Sequence, residues 1–225
     1  MINAVFLMAR KTKADAEATR EALLDAAEDV FFDKGVARTT LEQIARHAGM
    51  TRGAVYWHFK NKADLFHAMS DRVHLPFEEL TRELESPQQG RTPLDTIRLT
   101  LRHAFIRIEQ PRHRRVLSII LHRCEFFSDI NPLQMQHKMA EDCYCSMLRH
   151  FEMAEQSGQL APHINAVHAA QLMEYTIGGM IQDWLRTPEE YSLAERGRVI
   201  IDSLFDLLSR NAPGDASTAP GALPS

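Results

Sequence analysis

The residues that could do chemistry lie in one run, Gly49-Met50-Thr51-Arg52-Gly53-Ala54-Val55-Tyr56-Trp57-His58-Phe59-Lys60-Asn61-Lys62. A helix beginning at Arg52 carries small residues early, Gly53 and Ala54, so its backbone can approach base edges closely. Val55 and Phe59 stand four apart and turn one face to a core. On the other face Tyr56, His58, Lys60 and Lys62 can reach phosphates. Between Val36 and Lys62 the charges are Arg38, Arg46, Arg52, Lys60 and Lys62 against one acid, Glu42, and the arm before them adds Arg10, Lys11 and Lys13. The intervening segment has the opposite balance: Asp15, Glu17, Glu21, Asp25, Glu28, Asp29 and Asp33 against Arg20 and Lys34. Charge by itself also fits a solvated helical face. What favours a nucleic-acid surface is the punctuation around the run.

That punctuation predicts short capped helices. Leu24, Ala27 and Phe31, with Leu23 and Val30 beside them, form an apolar stripe that stops at Gly35. Thr39 with Glu42 matches a capping box, and Leu41, Ile44, Ala45 and Ala48 form the next apolar face before Gly49. Thr51 can cap a helix from Arg52 to about His58, and Asn61 with Asp64 a fourth carrying Leu65, Phe66 and Met69. Two short helices about a tight Gly-Met-Thr turn give the helix-turn-helix layout, in which the second helix enters the major groove. Beyond Ser86 the intervals between Pro and Gly keep helical spacing. Ile97, Leu101, Ala104 and Ile108 recur in one; Val116, Ile119, Ile120 and Arg123 in the next; Met139, Cys143, Met147 and Phe151 in a third. Two more helices span Ala166 to Arg186 and Leu193 to Arg210. The fold class is all-α. Residues 8–62 read as the domain with the helix-turn-helix, 63–211 as a second helical domain, and 212–225, rich in Pro, Gly, Ala and Ser, as a disordered tail.

The chain has 225 residues, a formal charge of -4 and 44% apolar residues, the profile of a soluble globular protein. No apolar run reaches the roughly 18–20 residues of a membrane span. Met1 to Leu7 lacks a basic region and a cleavage site, and Met8 offers an alternative start. Cys124, Cys143 and Cys145 read as free thiols in a cytoplasmic protein. GxxxxGK, GxSxG and HExxH are absent, so no enzyme, catalytic residue or cofactor is expected. His122 with Cys124, and Cys143 with Cys145, are spaced i, i+2 and diverge around a helix, so no metal site is expected either. The competing class is a helical small-molecule binding protein or enzyme whose basic hairpin is incidental.

Residues 17 to 66, above all Gly49 to Lys62 followed by Asp64-Leu65-Phe66, resemble the amino-terminal domain of TetR-family transcriptional repressors. Met8-Ala9-Arg10-Lys11-Thr12-Lys13 and Cys124-Glu125-Phe126 are similar to the AcrR-like and TtgR-like repressors of multidrug efflux pumps. The resemblance implies about nine helices, with three in a DNA-binding domain, residues 8–62, and a fourth linking it to a ligand-binding and dimerisation domain, residues 63–211. It also implies dimerisation through the last two helices, roughly palindromic double-stranded operator DNA, and a small hydrophobic inducer. Within the family, a regulator of a catabolic or lipid pathway is the alternative. The DNA-binding residues expected are Thr39, Arg46, Thr51, Arg52, Gly53, Tyr56, Trp57, His58 and Lys62, with Tyr56, His58 and Lys62 at phosphates. The resemblance places Ile97, Leu101, Ala104, Leu117, Leu121, Leu148, Glu174, Ile177 and Ile181 around the ligand. Glu174, a carboxylate on a largely apolar helix, is the candidate partner for a cationic or hydrogen-bond-donating drug. Gly178 and Gly179 weaken that helix by about 1 kcal/mol each relative to Ala, which fits a close helix–helix approach.

Overall fold

The computed structural model describes residues 2–84, 90–126 and 130–210, with side chains from residue 13 onward; the tail expected at 212–225 lies outside the described residues. Among these residues the chain forms ten α-helices and no strand: α1 (Ile2–Lys34), α2 (Leu41–His47), α3 (Arg52–His58), α4 (Lys62–Asp71), α5 (Phe77–Leu84), α6 (Pro93–Ile108), α7 (Pro111–Ser118), α8 (Pro132–Gln156), α9 (Ala166–Arg186) and α10 (Leu193–Leu208). One turn of π-helix, Ile119–Arg123, continues α7. No described helix is long and apolar enough to cross a membrane.

Two expectations about these elements change. The first helix is not short, since α1 runs for 33 residues and takes in the basic arm. The chain from Lys62 to Leu84 is also two helices, which raises the count above nine. Val73 and His74 close α4 with bonds to the Ser70 and Asp71 carbonyls, and Glu79 and Leu80 begin α5 on the Pro76 carbonyl. Pro76 is the cause: its ring excludes the helical conformation from Leu75.

The helices pack as two compact units, one of residues 1–74 with 110–137 and the other of 75–109 with 138–225. The boundary expected after residue 62 therefore falls in the first turn of α4, and the first unit takes in α7 and its π turn as well. In the first unit the stripe of α1 is fully enclosed: Leu23, Leu24, Ala27 and Phe31 are inaccessible and pack with Ile44, Val55, Leu65, Phe66 and Met69. The Phe31 and Phe66 rings meet edge to face at 5.8 Å. Gly35 ends α1 at φ +80°, where its N–H still reaches the Phe31 carbonyl. A substantial ion network covers the outside of α1. Arg72 reaches Glu21, Asp25 and Glu28, Arg112 reaches Asp25 and Glu28, and Arg115 pairs with Asp29.

In the second unit α10 lies against α6 and α9. Gly197 makes the first contact possible: a Cβ there would stand 2.6 Å from the Phe105 ring. Arg102 closes the same contact on Asp202 at 2.5 Å. Thr81 and Thr100, both buried, share a hydrogen bond at 3.1 Å between α5 and α6.

Candidate nucleic-acid interface

The candidate interface is built by α2, the turn after it, and α3. Helix α2 starts one residue later than the Thr39/Glu42 pattern suggests. Thr40 is the N-cap and Gln43 its capping-box partner, with Thr40 Oγ1 accepting from Gln43 N–H at 3.2 Å and Gln43 Oε1 from Thr40 N–H at 3.0 Å. This register buries Leu41, Ile44 and Ala45. Thr39 is thereby drawn inside, where its hydroxyl donates to the Gly35 carbonyl at 2.8 Å; it has no surface to offer DNA.

After α2 the chain reverses at Gly49, whose φ of +69° is the left-handed conformation that a glycine adopts without strain. Gly49 N–H reaches the Arg46 carbonyl and Met50 N–H the Ala45 carbonyl. Thr51 then caps α3, its Oγ1 accepting from Ala54 N–H at 3.3 Å. Only two side chains root α3 firmly, Val55 and its C-cap Phe59, both buried. The Arg20 guanidinium of α1 covers the Phe59 ring at 5.4 Å from its centroid.

Everything else on α3 faces outward or sits at the edge. Arg46, Thr51, Arg52, Gly53, Tyr56 and Trp57 are exposed, Trp57 to 73%, which is extreme for an indole in a folded chain. His58 is half-buried, and its pKa is held below the ordinary histidine value by burial first and then by Arg20, with Glu17 opposing. At neutral pH it is therefore the uncharged imidazole. Gly53 serves no packing purpose among the described residues. Of these, a Cβ there would meet only Thr51 Oγ1, at an ordinary 3.8 Å. A helical glycine that the fold does not require leaves room for something outside the chain.

Lys62 does not belong to this surface. It is the first residue of α4, buried, with its ammonium donating to the carbonyls of Val36 at 2.7 Å, Ala37 at 3.1 Å and Thr39 at 2.8 Å. Burial pushes its pKa below the ordinary lysine value, and Cys124 nearby partly restores it. An ammonium enclosed among three carbonyls is not available to a phosphate, and nothing in the sequence around an N-terminal helical lysine signals such a lock. With Arg46 and Arg52, the exposed bases of the segment 36–62 are Arg38 and Lys60.

Sequence reasoning also missed the part played by Glu42, counted there as a capping residue and as the one acid of its segment. Its carboxylate receives Arg52 Nε at 3.0 Å and the Tyr56 hydroxyl at 3.5 Å. Its pKa lies below the ordinary carboxylate value, chiefly because its own backbone N–H bonds the carboxylate, with Arg52, Thr40 and Tyr56 adding to this. The signal available was its position as the only acid in a basic segment.

The residues expected at the ligand fall in both units. Leu117 and Leu121, half-buried, belong to the first, on α7 and its π turn. In the second unit Ile97 and Leu101 are buried, and Ala104, Leu148, Glu174, Ile177 and Ile181 are half-buried. Glu174 acts electrostatically on Cys143, whose thiol burial pushes up to about 11. Cys124 is likewise pushed up to about 11 by burial, so both are protonated thiols near neutral pH.

Comparison with known proteins accords with this surface. Residues 23–69 match the family model of bacterial regulatory proteins of the tetR family, and residues 92–210 match that of the carboxy-terminal region of MAATS-type transcriptional repressors. The chain is 37% identical over 203 residues to the HTH-type transcriptional regulator TtgR of Pseudomonas putida, covering 89% of this chain and 96% of that protein. Among solved structures it is similar to NalD, the secondary repressor of the MexAB-OprM multidrug efflux pump in Pseudomonas aeruginosa, with a TM-score of 0.76, 36% identity, and 88% and 99% of the two chains covered. It is also similar to SmeT, repressor of the Stenotrophomonas maltophilia efflux pump SmeDEF, in its complex with triclosan, with a TM-score of 0.74, 36% identity, and 92% and 100% covered.

Proposed function

We propose, given that this chain belongs to the tetR family of bacterial transcriptional regulators, that it is a homodimeric cytoplasmic repressor of a multidrug efflux pump operon, released from its operator by hydrophobic inducers. It works as a regulator and not as an enzyme. The observation that carries the DNA-binding part is the two-sidedness of α3. Val55 and Phe59 root the helix, while Arg52, Gly53, Tyr56 and Trp57 are left outside, and the glycine among them is one the fold does not use.

The expected contacts follow from exposure. Gly53 and Arg52 meet base edges; Thr51, Tyr56, Trp57 and the neutral His58 act as hydrogen-bonding or packing groups at the backbone; Arg46, with Arg38 and Lys60, supplies phosphate attraction. Dimerisation uses α9 and α10, whose outward faces carry Val167, Leu172, Tyr175, Val199, Ile200 and Leu207, all exposed in the single chain. Two copies bring two recognition helices to a roughly palindromic site. SmeT was solved with triclosan, a hydrophobic molecule, and an inducer of that kind bound in the second unit near Ile97, Leu101, Ala104, Leu148, Glu174, Ile177 and Ile181 would favour a dimer whose α3 helices are wrongly spaced for adjacent major grooves.

The test is selection from a random-sequence duplex library, followed by mobility shifts over a salt series. Enrichment of a palindrome, bound with a steep inverse dependence on salt, is expected. Binding without enrichment, or no binding, would overturn the reading.

A further inference from the structure

Glu42 is the single acid among the basic residues of 36–62, yet it faces α3 at the exposed surface. One of its oxygens, Oε1, takes both the Arg52 Nε–H and the Tyr56 hydroxyl. Arg52 and Tyr56 stand one helical turn apart, and the guanidinium lies over the phenol ring at 5.3 Å from its centroid. Arg52 is thus held in three ways: by its root in the first turn of α3, at Nε by a carboxylate of α2, and across its face by an aromatic ring.

An exposed ion pair of this kind adds little to folding, so its consequence is one of orientation. A flexible arginine with 70% of its side chain exposed has many rotamers to lose on meeting a partner. Here the inner donor, Nε, is occupied by Glu42, and the two terminal NH2 groups keep their donors for a partner. Together they are the fork that pairs with the N7 and O6 acceptors of guanine. Arg52 also sits where the positive end of the α3 dipole disfavours a cation, and the Glu42 carboxylate offsets that.

We propose that Glu42 is a positioning residue, which fixes Arg52 so that its terminal NH2 groups read a guanine in the major groove, an inference that rests on the DNA-binding reading above. Glu42 stays ionised through the neutral range, since its pKa lies below the ordinary value. The competing role for an acid on such a surface is general repulsion of phosphates. The two differ in what removal of the charge does: repulsion predicts tighter binding to every sequence alike, whereas positioning predicts a loss confined to one base pair.

The experiment is selection from a random-sequence duplex library with the full chain, Arg52→Ala, Glu42→Ala, Glu42→Lys and Glu42→Gln, with affinity for unselected genomic DNA measured in parallel. Arg52→Ala should erase a guanine preference at one position in each half-site. Glu42→Ala should weaken that same preference about tenfold, while binding to unselected DNA holds or tightens. Glu42→Lys should move the two readouts further apart, because added positive charge favours all DNA and drives Arg52 away. Glu42→Gln, whose amide oxygen can still accept from Nε, should keep most of the preference. Full guanine preference in Glu42→Ala, or a uniform gain over all sequences, would overturn the proposal, as would an Arg52→Ala profile that loses no guanine. If the unaltered chain enriches no sequence, it is the DNA-binding reading that fails, and the buttress fails with it.

Discussion

The Lys62 ammonium donates to the Val36 carbonyl at 2.7 Å, so the first residue of α4 holds the loop that delivers the chain into α2. The Ala37 and Thr39 carbonyls complete the set, and on its other side Val36 N–H donates to the Arg123 carbonyl at the end of the π turn. The loop is thus pinned through both the N–H and the carbonyl of Val36. Lys62→Met should cost roughly 2–4 kcal/mol, because it leaves buried carbonyls without donors. Since Lys62 touches no phosphate, the salt slope of DNA binding by the folded fraction should not change. Urea unfolding and salt titrations check the two halves separately; a slope lowered by about one unit would return Lys62 to the interface.

Gly53→Ala separates folding from recognition. The added methyl meets nothing closer than 3.8 Å, so the variant should fold and gain up to about 1 kcal/mol of helix stability. Operator affinity should nonetheless fall, because the methyl occupies space kept for the DNA. Thermal unfolding and mobility shifts on the selected site measure this, and unchanged affinity would mean that α3 does not approach the bases at Gly53.

Three glycines on α9 and α10 should behave in two ways. Gly197→Ala forces a Cβ to 2.6 Å from the Phe105 ring and should destabilise the chain by about 1–3 kcal/mol. Gly178 and Gly179 are exposed, and a Cβ on either meets nothing within 4 Å among the described residues, so none of these neighbours accounts for them. Replacing both with a larger residue such as Leu should leave the subunit folded and shift the population towards monomer in sedimentation velocity. A dimer of undiminished strength would place the interface elsewhere.

The half-buried imidazole of His58 sets a pH dependence. Its folded pKa is depressed, by burial first and then by Arg20, below the ordinary value of about 6.5. The unfolded chain therefore takes up this proton first. The stability concerned is present above the unfolded pKa and is lost as pH falls through the lower folded value. His58→Gln should remove that component, seen as a smaller loss of urea midpoint between neutral and mildly acidic pH than in the unaltered protein. Equal losses in the two would show that His58 titrates as a solvent-exposed histidine does.

Glu174 tests the inducer. If its carboxylate holds a cationic or donor-bearing hydrophobic compound, Glu174→Gln should weaken calorimetric binding of cationic compounds about tenfold or more and that of neutral ones much less, with operator release following the same order. Equal affinities of the two proteins for every compound would remove Glu174 from the pocket and leave the repressor assignment intact.

Most of the elements were legible because their signals are local. The Leu24, Ala27, Phe31 stripe, the Gly35 and Gly49 stops, the Thr51 and Asn61 caps and the span of α9 each need only a few neighbouring residues to act, and the structure keeps all of them. The inward pair of α3, Val55 and Phe59, followed from spacing alone. Tertiary packing decided what local chemistry leaves degenerate. Thr39-Thr40 followed by Glu42-Gln43 offers two capping registers, and burial of Leu41, Ile44 and Ala45 selects the second. A lysine's charge reads the same whether it meets a phosphate or three carbonyls; only the folded positions of Val36, Ala37 and Thr39, more than twenty residues away, enclose Lys62. Glu42 and Arg52 likewise meet across a turn, and no periodicity within either helix encodes that meeting. Sequence by itself determined most of the helical segments, though neither α5 nor the full length of α1, and which segment offers the proposed recognition chemistry, because backbone capping and side-chain period act over a few residues. Which polar groups are spent inside the fold and which remain for DNA was decided by tertiary structure, because desolvation and pairing depend on neighbours that the chain brings together only when folded.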